Sequence, residues 1–370
     1  MHRNEWPQPG RTLVLILTAC AAVKSTLTPV SCRRVASSAL REFAKDTLKR
    51  KYAIMDCIFT INSIDRCQVH WEDHLLGLTP VEEVGGIYFK REDKFAPLGY
   101  GGINGSKLRQ LIWLLSRKQY PGVISGAVVQ SPQLIMVATC AKHWNIPCVQ
   151  VIGGKPESSL KYDMVRMAVE LGARSVFFNP GYATTLNSKA RDMSRNEMSG
   201  YLHVETNITV CHKVNPPEQV EAFHRVGSEQ VKNVPDHIQT LILPAGSCNT
   251  LVSILYGLGR FRPKSLKNVV LFRISPNADK KRKWTKERLA IIEDVSGTPL
   301  RSLPYNFIEH DLVGSGYTTY RDTMKATFGE IVFHERYEAK CVCFMRENRT
   351  QFQPFINGGA LFWIVGSSPQ

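Results

Sequence analysis

The sequence predicts an α/β fold with mainly parallel sheets that are covered by helices. From Met55 onward, segments with strand and helix character alternate along the chain. Residues 148–152 (CVQVI) form a continuous apolar run, which is typical of a strand buried on both faces of a parallel sheet. Residues 160–171 have helix character, and Gly172 directly after them is a frequent signal for a helix end. Because parallel strands need crossover helices between them, this alternation favours parallel sheets.

The spacing of apolar residues and the position of proline define the individual elements. In the segment 107–119, apolar residues stand at positions 108, 111, 112 and 115, which is the spacing of one helix face. The helix 134–144 ends shortly before Pro147, whose ring cannot continue it. Strands are predicted at 86–90, 123–129, 148–152, 174–178, 239–243 and 269–274. Helices are predicted at 107–119, 134–144, 160–171, 216–232 and 250–261.

The composition excludes several classes of protein. The 370 residues are 43% apolar and 21% charged, which is sufficient for a large buried core. No apolar run approaches the roughly 18 residues that a membrane-spanning helix requires, so an integral membrane protein is excluded. The ten cysteines lack the paired spacing of a disulfide scaffold or a zinc site, so no metal is expected. Such thiols are typical of a reduced, cytoplasmic protein.

The positive charge is concentrated near the N-terminus. Residues 1–54 hold ten Lys or Arg against three acidic residues, which is +7 of the total of +15. An apolar stretch at 13–23 follows two arginines, as in a signal peptide, and the acid-poor tract after it would also suit an organelle transit peptide. A third interpretation, which we favour because an ordered pattern begins only near Met55, is that Met55 is the true start. Residues 1–54 are therefore treated as an N-terminal extension, with a presequence as one possibility.

A chain with this charge could also bind nucleic acid or an acidic membrane surface without specificity. The densest basic cluster is Lys280-Lys281-Arg282-Lys283. We interpret it as a solvated loop face, because no nucleic-acid-binding module accompanies it. Neither nucleic acid nor a membrane is expected as a specific partner, and a binding protein of this kind is kept as an alternative to an enzyme.

A lysine placed where a glycine-containing loop enters a helix is the first candidate for chemistry. Lys107 follows Gly101-Gly102 and Gly105, and Lys90-Arg91-Glu92-Asp93 precedes them. A bulky ligand can approach such a lysine closely, and a desolvated amine is nucleophilic enough at neutral pH to form a Schiff base with an aldehyde. The alternative is a lysine at a helix start in solvent.

A turn of small residues between a strand and a helix is the second candidate. It comprises Gly246-Ser247-Cys248-Asn249-Thr250. Small residues allow backbone N–H groups to converge on a phosphate at the N-terminal end of a helix. The Gly-Lys-Ser/Thr ending of a Walker loop is missing, and an ordinary tight turn is the alternative.

The third candidate is Tyr337-Glu338-Ala339-Lys340, in which a tyrosine and a carboxylate are adjacent. Such a pair can serve in acid–base chemistry and as a partner for a ring nitrogen. Alone, it would be the start of a surface helix. In combination, a Schiff-base lysine, a phosphate cradle and a ring-nitrogen partner are what a pyridoxal phosphate enzyme requires.

From about Thr79 to its end, the chain resembles the fold type II pyridoxal phosphate enzymes, the tryptophan synthase β type. Within them it is similar to the branch of 1-aminocyclopropane-1-carboxylate (ACC) deaminase and D-cysteine desulfhydrase. The motifs that carry the resemblance are Lys90–Asp93 (a KRED box), Gly101-Gly102 with Lys107-Leu108-Arg109 (a GGNK-x-R box), Gln130–Gln133 (a QSNQ box), Gly246–Thr250 (the phosphate loop), Gly314–Tyr317 (a GxGY segment), Tyr337–Lys340 (a YEGK box) and Ala360–Gly366 (the final strand).

The resemblance implies that the cofactor is pyridoxal 5'-phosphate, and it implies a role for each matched residue. Lys107 is the expected Schiff-base lysine, and the carboxylate of Glu338 is expected to face the pyridine nitrogen. The implied cofactor-binding residues are Lys107, Gly246, Ser247, Cys248, Asn249, Thr250 and Glu338. The implied catalytic residues are Lys107, Tyr337, Tyr317 and Ser131, and the implied substrate-binding residues are Ser131 and Gln133.

Several positions depart from the pattern of the family. Residues 103–106 stand between the glycine pair and the lysine, where the family has a single Asn. Pro132 replaces an Asn expected to bind the ring oxygen of the cofactor, and proline offers neither an N–H nor a side-chain donor. Cys248 and Asn249 make the phosphate loop less rich in small residues than the family pattern. These changes bear on the identity of the substrate more than on binding of the cofactor.

The predicted function is a pyridoxal phosphate-dependent deaminase or lyase, by class a hydrolase or a lyase, that acts on a small amino acid. Glu338 is the deaminase-like residue, whereas desulfhydrases resemble a Thr at this position. The first expectation is therefore an ACC deaminase-like enzyme that forms 2-oxobutanoate and ammonia. The alternatives are a D-cysteine desulfhydrase-like lyase and a catalytically altered protein that still binds pyridoxal phosphate.

The resemblance also implies the domain organisation. Two three-layer α/β/α domains with mainly parallel sheets are expected, with the cofactor in the cleft between them. The large cofactor-binding domain would comprise residues 55–99 and 206–370, and the small domain residues 100–205. A homodimer is implied as well.

Overall fold

The computed structural model describes residues 71–99, 104–179 and 181–366 of the chain. The extension predicted for residues 1–54 and the glycine pair Gly101-Gly102 lie outside the described residues. The strands are β1 (Val81–Val84), β2 (Ile87–Arg91), β3 (Val123–Ala127), β4 (Cys148–Gly153), β5 (Arg174–Phe178), β6 (Leu202–Val204), β7 (Thr240–Ala245), β8 (Asn268–Arg273), β9 (Asn306–Asp311), β10 (Thr327–Phe328), β11 (Ile331–Val332) and β12 (Ala360–Ile364).

Helices follow most of these strands. They are α1 (Trp71–Leu76), α2 (Ser106–Ser116), α3 (Gln133–His143), α4 (Pro156–Ser159), α5 (Asp163–Glu170), α6 (Ala183–Asn196), α7 (Pro217–Ser228), α8 (Asn249–Phe261), α9 (Ala278–Ser296), α10 (Glu338–Glu347) and α11 (Arg349–Asn357). Short 3-10 helices at Glu92–Lys94 and Glu229–Asn233 complete the chain trace.

The larger sheet has six strands in the order β1-β2-β12-β7-β8-β9. Strand β1 pairs antiparallel with β2, and every other neighbouring pair is parallel. The last strand, β12, is therefore inserted between β2 and β7. Because parallel strands end at the same edge of a sheet, this order brings together the segments that follow β2, β7 and β12.

Both faces of this sheet are buried, so its strands alternate between two cores. In β7 and β8, Leu241 and Val269 belong to one apolar cluster, whereas Ile242 and Val270 belong to the other. Side chains of a strand point alternately to its two faces, and a layer of helices or loops must cover each of them. This explains why the strands read as continuous apolar runs.

A second sheet has four parallel strands in the order β5-β4-β3-β6. On one face, Leu186 and Ala190 of α6 pack against Val149 of β4 in a separate cluster. On the opposite face, Leu134 of α3 and Val165 of α5 belong to the large central core. The sheet thus lies between two helical layers.

The structure confirms an α/β fold with mainly parallel sheets. Strand β5 coincides with the predicted strand 174–178 at both ends. The predicted helix 160–171 corresponds to α5, which begins only at Asp163 because Tyr162 adopts an extended conformation, with φ −86° and ψ 129°, and which ends at Glu170. The domain boundaries near residues 99 and 206 stay a prediction.

Helix α6 was not predicted, although its apolar residues Leu186, Ala190 and Met193 follow a helical spacing and are buried. Its other positions are mostly polar, which weakens the pattern. No helix in the described part of the chain combines the length and apolar character needed to cross a membrane.

Because both faces of the larger sheet are buried, we expect the free energy of unfolding to depend strongly on the side chains of β8. Replacing Val270, which is fully buried, by Ala should lower the free energy of unfolding by about 2 kcal/mol, through lost burial and a residual cavity. Val332→Ala removes the same atoms at a position that is 69% exposed and should change stability by less than about 0.5 kcal/mol. Urea denaturation of both variants measures the difference, and equal losses would contradict it.

Candidate active site

A cavity lies at the edge where β2, β7 and β12 end. It is lined by Asn104, Lys107, Pro132, Gln133, Met136, Pro244, Ala245, Gly246, Ser247, Cys248, Thr250, Leu251, Ile274, His334, Tyr337, Val365 and Gly366. The structure therefore brings Lys107, the small-residue loop and Tyr337 together from positions far apart in the sequence. The cavity has both polar lining residues, such as Asn104 and Ser247, and apolar ones, such as Met136 and Ile274.

The start of α2 positions Lys107 through an unusually close backbone contact. Gly105 has φ 91° and ψ −169°, and a Cβ atom placed on it would lie 2.3 Å from the carbonyl oxygen of Val365. This conformation is essentially restricted to glycine. The next residue, Ser106, donates its backbone N–H to the same Val365 oxygen at 2.9 Å. The helix that carries Lys107 is thus fixed to the end of β12.

A buried polar network supports the same helix start. The carboxylate of Glu92 accepts hydrogen bonds from the Ser106 hydroxyl and, at 3.0 Å, from the indole nitrogen of Trp363. The guanidinium of Arg109 lies 3.6 Å from Glu92, and both side chains are almost fully buried. Lys90, also buried, donates to the carbonyl oxygen of Thr79 at 2.7 Å. The KRED box therefore contributes structure around Lys107 in this fold.

Burial lowers the pKa of Lys107 to about 8, and the nearby cation of Lys281 lowers it further in the same direction. Removing a charged amine from water costs free energy, so the neutral form is favoured. A substantial fraction of neutral, nucleophilic amine is consequently present near neutral pH.

The loop 246–250 connects β7 to α8. Cys248 adopts a left-handed conformation, with φ 68°, and α8 begins at Asn249. The cavity wall at Gly246 is open, since a Cβ there would meet only Ile274 at 3.9 Å. The free N–H groups at the N-terminal end of a helix attract an anion. This loop can therefore receive a phosphate.

His334 and Tyr337 also line the cavity, and Glu338 follows Tyr337 at the start of α10. The Glu338 carboxylate is fully buried; its Oε1 accepts the backbone N–H of Val365 at 2.9 Å, and its Oε2 has no partner among the described residues. Burial raises the pKa of Glu338 to about 8. Burial also raises the pKa of Tyr337 well above its usual value of 10.0, with Tyr320 acting in the same direction.

His334 is a cavity residue that the sequence reasoning did not single out. Its ring packs against that of Tyr337, with centroids 4.3 Å apart, and its Nδ1 accepts the backbone N–H of Arg336 at 3.1 Å. Burial lowers the pKa of His334 to about 4, helped by the cations of Arg336 and Lys107. The imidazole is therefore neutral at physiological pH. Its position three residues before Tyr337 was the available signal.

Gln133 lines the cavity, but its side chain is already engaged. Its Nε2 donates to the carbonyl oxygen of Glu205 at 3.2 Å, and its Oε1 accepts the backbone N–H of Asn207 at 2.8 Å. Ser131 does not line the cavity; its Oγ accepts the backbone N–H of Gln133 at 3.3 Å. The hydroxyl hydrogen of Ser131 is still available for a ligand.

Tyr317 lies apart from this group and does not line the cavity. Its ring packs edge-on against Phe344 of α10, with centroids 5.0 Å apart, and burial raises its pKa. Its catalytic role stays a prediction. Within the described residues, no group of histidine, cysteine or acidic side chains is arranged to hold a metal ion.

The interpretation of residues 280–283 as a solvated loop face is wrong for Lys281. These residues belong to α9, and the Lys281 amine donates to the carbonyl oxygen of Gly246 at 2.7 Å. Lys280 and Lys283 are exposed, as expected. A run of charges gives no sign of which member turns inward, so sequence alone could not single out Lys281.

Comparison with known proteins gives one curated relative with substantial identity. It is an O-seryl-dTMP PLP-dependent decarboxylase of Salmonella phage ViI, where PLP is pyridoxal 5'-phosphate. The two sequences are 34% identical over 84% of this chain and 87% of the relative. No family model matches the chain.

Solved structures show a similar fold at low sequence identity. A crystal structure of an ACC deaminase homologue has a TM-score of 0.61 and 16% identity, covering 78% of this chain and 89% of its own. Maize serine racemase has a TM-score of 0.50 and 15% identity, covering 79% and 88% of the two chains. At these identities the likeness concerns the fold alone.

Burial of Glu338 predicts a specific pH dependence of stability in the cofactor-free protein. Its pKa is about 8 in the folded state and near 4.5 when exposed, so the protonated acid stabilises the fold at low pH. This contribution is lost as the pH rises through 8. Relative to Glu338→Gln, the wild type should therefore lose on the order of 3 kcal/mol of unfolding free energy between pH 5 and pH 8.

Chemical denaturation at both pH values measures this loss. Glu330→Gln, a change at an exposed position, is the control and should follow the wild-type profile. Parallel profiles for the wild type and Glu338→Gln would contradict the prediction.

Proposed function

We propose that this chain, which belongs to the fold type II pyridoxal phosphate-dependent enzymes and to the family of the phage decarboxylase, decarboxylates a serine whose hydroxyl oxygen carries a larger group. Members of this family act on serine-like amino acids. The proposal rests on the 34% identity to a decarboxylase across 84% of the chain. The name of that relative specifies O-seryl-dTMP, a serine joined to a nucleotide, and we propose the same class of substrate here.

The residues of the cavity fit pyridoxal phosphate. Lys107 would hold its aldehyde, the loop 246–250 its phosphate, and Glu338 its ring nitrogen. The supporting observation is the Oε2 atom of Glu338, which is buried without a partner among the described residues and matches a ring N–H. When bound, the cofactor takes up the substrate's amino group and accepts the electron pair released at Cα.

The chain's own side chains supply the proton transfers. Tyr337 keeps its hydroxyl proton at neutral pH because burial disfavours its anion. We propose that this hydroxyl, or the amine of Lys107 once it is released, delivers a proton to Cα after the bond to the carboxylate has broken. The carboxylate of Glu338 would hold the ring nitrogen protonated, and the catalytic role of Tyr317 stays a prediction.

The expected carboxylate-binding residues favour decarboxylation over deamination. A deaminase retains the substrate carboxylate through the reaction, and fixed donors hold it. Here Pro132 has no N–H to offer, and the amide of Gln133 already binds Glu205 and Asn207. Of these three neighbouring residues, Ser131 is the one whose hydroxyl we propose to orient the carboxylate. Weak stabilisation of this anion lowers the barrier to its loss as neutral CO2.

The competing interpretations are ACC deamination and D-cysteine desulfhydration. They draw support from the motifs around Lys107 and Glu338, whereas the ACC deaminase homologue is similar at only 16% identity. A catalytically altered protein that binds pyridoxal phosphate is the third. The homodimer implied by the family resemblance and the cytoplasmic location indicated by the thiols belong to the proposal as well, and sedimentation of the purified chain tests the dimer.

The decisive experiment offers three substrates to the pyridoxal phosphate-loaded enzyme. With O-seryl-dTMP labelled in its carboxylate, we expect release of labelled CO2 and a product that retains its amine. Release of ammonia and 2-oxobutanoate from ACC would contradict the proposal and indicate a deaminase. Release of sulfide and pyruvate from D-cysteine would contradict it and indicate a desulfhydrase. Bound cofactor without turnover of any substrate would favour the altered binding protein.

Variants of two lysines test the assignment of Lys107. Lys107→Ala should reduce turnover by about a thousandfold or more and abolish covalent trapping of the cofactor by borohydride. Lys142→Ala removes an exposed lysine at the end of α3 and should behave as the wild type. Undiminished turnover in Lys107→Ala would overturn the assignment.

A further inference from the structure

The loop 246–250 is surrounded by cations that come from the elements following it. The Lys281 amine donates to the carbonyl oxygen of Gly246 at 2.7 Å and also contacts the Ser275 hydroxyl. The guanidinium of Arg273 donates to the Cys248 sulfur at 3.1 Å. That of Arg288 donates to the Asn249 side chain at 2.9 Å. Three positive charges thus contact three residues of one short loop.

These cations are incompletely neutralised by the protein. Arg273 forms an ion pair with Glu309 at 2.9 Å. No carboxylate of the described residues lies within ion-pair distance of Lys281 or Arg288. Arg288 is only 4% exposed, and its Nε has no partner among the described residues. Buried cations without counter-ions are costly, so the arrangement indicates an anion that the protein itself does not supply.

We infer that Lys281 is the counter-ion of the cofactor phosphate, with Arg288 supporting the loop through Asn249. The inference rests on the proposed function, since it takes the loop as the phosphate site. The amine of Lys281 contacts Gly246, the first residue of the loop, which itself lines the cavity. A phosphate dianion there replaces a carbonyl as the main partner of the amine.

This role explains how a loop with few glycines can hold phosphate. A glycine-rich loop binds the anion through converging backbone N–H groups. Cys248 and Asn249 replace small residues here, and their side chains are engaged with Arg273 and Arg288. The positive charges of Lys281 and Arg288 in α9 therefore compensate for the smaller number of glycines in the loop. The ligand chemistry is a phosphate monoester dianion, whose second ionisation lies near pH 6.

The test compares pyridoxal phosphate with pyridoxal, which lacks the phosphate. Dissociation constants are measured on the full chain from the visible absorbance of the bound ligand. For Lys281→Met we expect binding of pyridoxal phosphate to weaken by about 10- to 100-fold, as for loss of a charge-assisted hydrogen bond, and binding of pyridoxal to change by less than about threefold. Lys283→Met removes an exposed lysine of the same helix and should change neither constant.

The outcomes separate this inference from the function on which it rests. Unchanged binding of pyridoxal phosphate to Lys281→Met, or an equal loss for both ligands, would overturn the role of Lys281 while the proposed function stands. No binding of pyridoxal phosphate to the wild type would overturn both. If Lys281→Met fails to fold, Lys281→Gln, which is polar and shorter, provides the same comparison.

Discussion

The active-site cavity depends on one peptide segment, the end of β12 at Val365. Its carbonyl oxygen accepts the N–H of Ser106, next to Lys107, and its N–H binds the carboxylate of Glu338. A single residue of the last strand thus fixes the positions of both groups. Because β12 is inserted between β2 and β7, the loop that follows β7 is brought to the same place. Only a glycine at position 105 permits the approach.

The charged residues before Lys107 serve this same constraint. Glu92 is buried and joins α2 to β12 by binding both Ser106 and Trp363. Arg109 neutralises part of its charge at 3.6 Å. A buried ion of this kind is tolerated only when its hydrogen bonds are largely satisfied. If one partner is removed, the remaining charge is buried without compensation, which costs free energy. Through Glu92, the motif therefore helps to fix the position of α2 relative to β12.

The sequence sufficed for the parts of the fold that local patterns determine. Continuous apolar runs predicted β4, β5 and β8 closely, because strands buried on both faces allow few polar residues. Helix α6 was missed because only Leu186, Ala190 and Met193 of its face are clearly apolar. The order of the motifs was sufficient to predict that Lys107, the loop 246–250 and Tyr337 form one site. Lys107, Tyr337 and residues of the loop all line the cavity.

Contacts between segments that are distant along the chain could not be predicted from the sequence. Lys281 belongs to a run of four basic residues, and nothing local distinguishes the one that turns toward Gly246, 35 positions earlier. Likewise, the sequence gives no sign that the side-chain amide of Gln133 is engaged. In the structure it is hydrogen-bonded to Asn207 and Glu205, which lie 74 and 72 positions later. Such pairings depend on the order of strands in space, which one sequence does not contain.

The electrostatics of the cavity connect these findings. Burial lowers the pKa of Lys107 and His334 and raises that of Glu338, so each of these groups is shifted toward its neutral form. Burial lowers the pKa of Lys281 and Arg288 as well, and these two cations contact the loop 246–250 without a carboxylate of the described residues within ion-pair distance. A ligand with a neutral reactive end and an anionic end matches this polarity in one orientation only. With the loop 246–250 as the proposed phosphate site, this polarity would direct the aldehyde end of the cofactor toward Lys107.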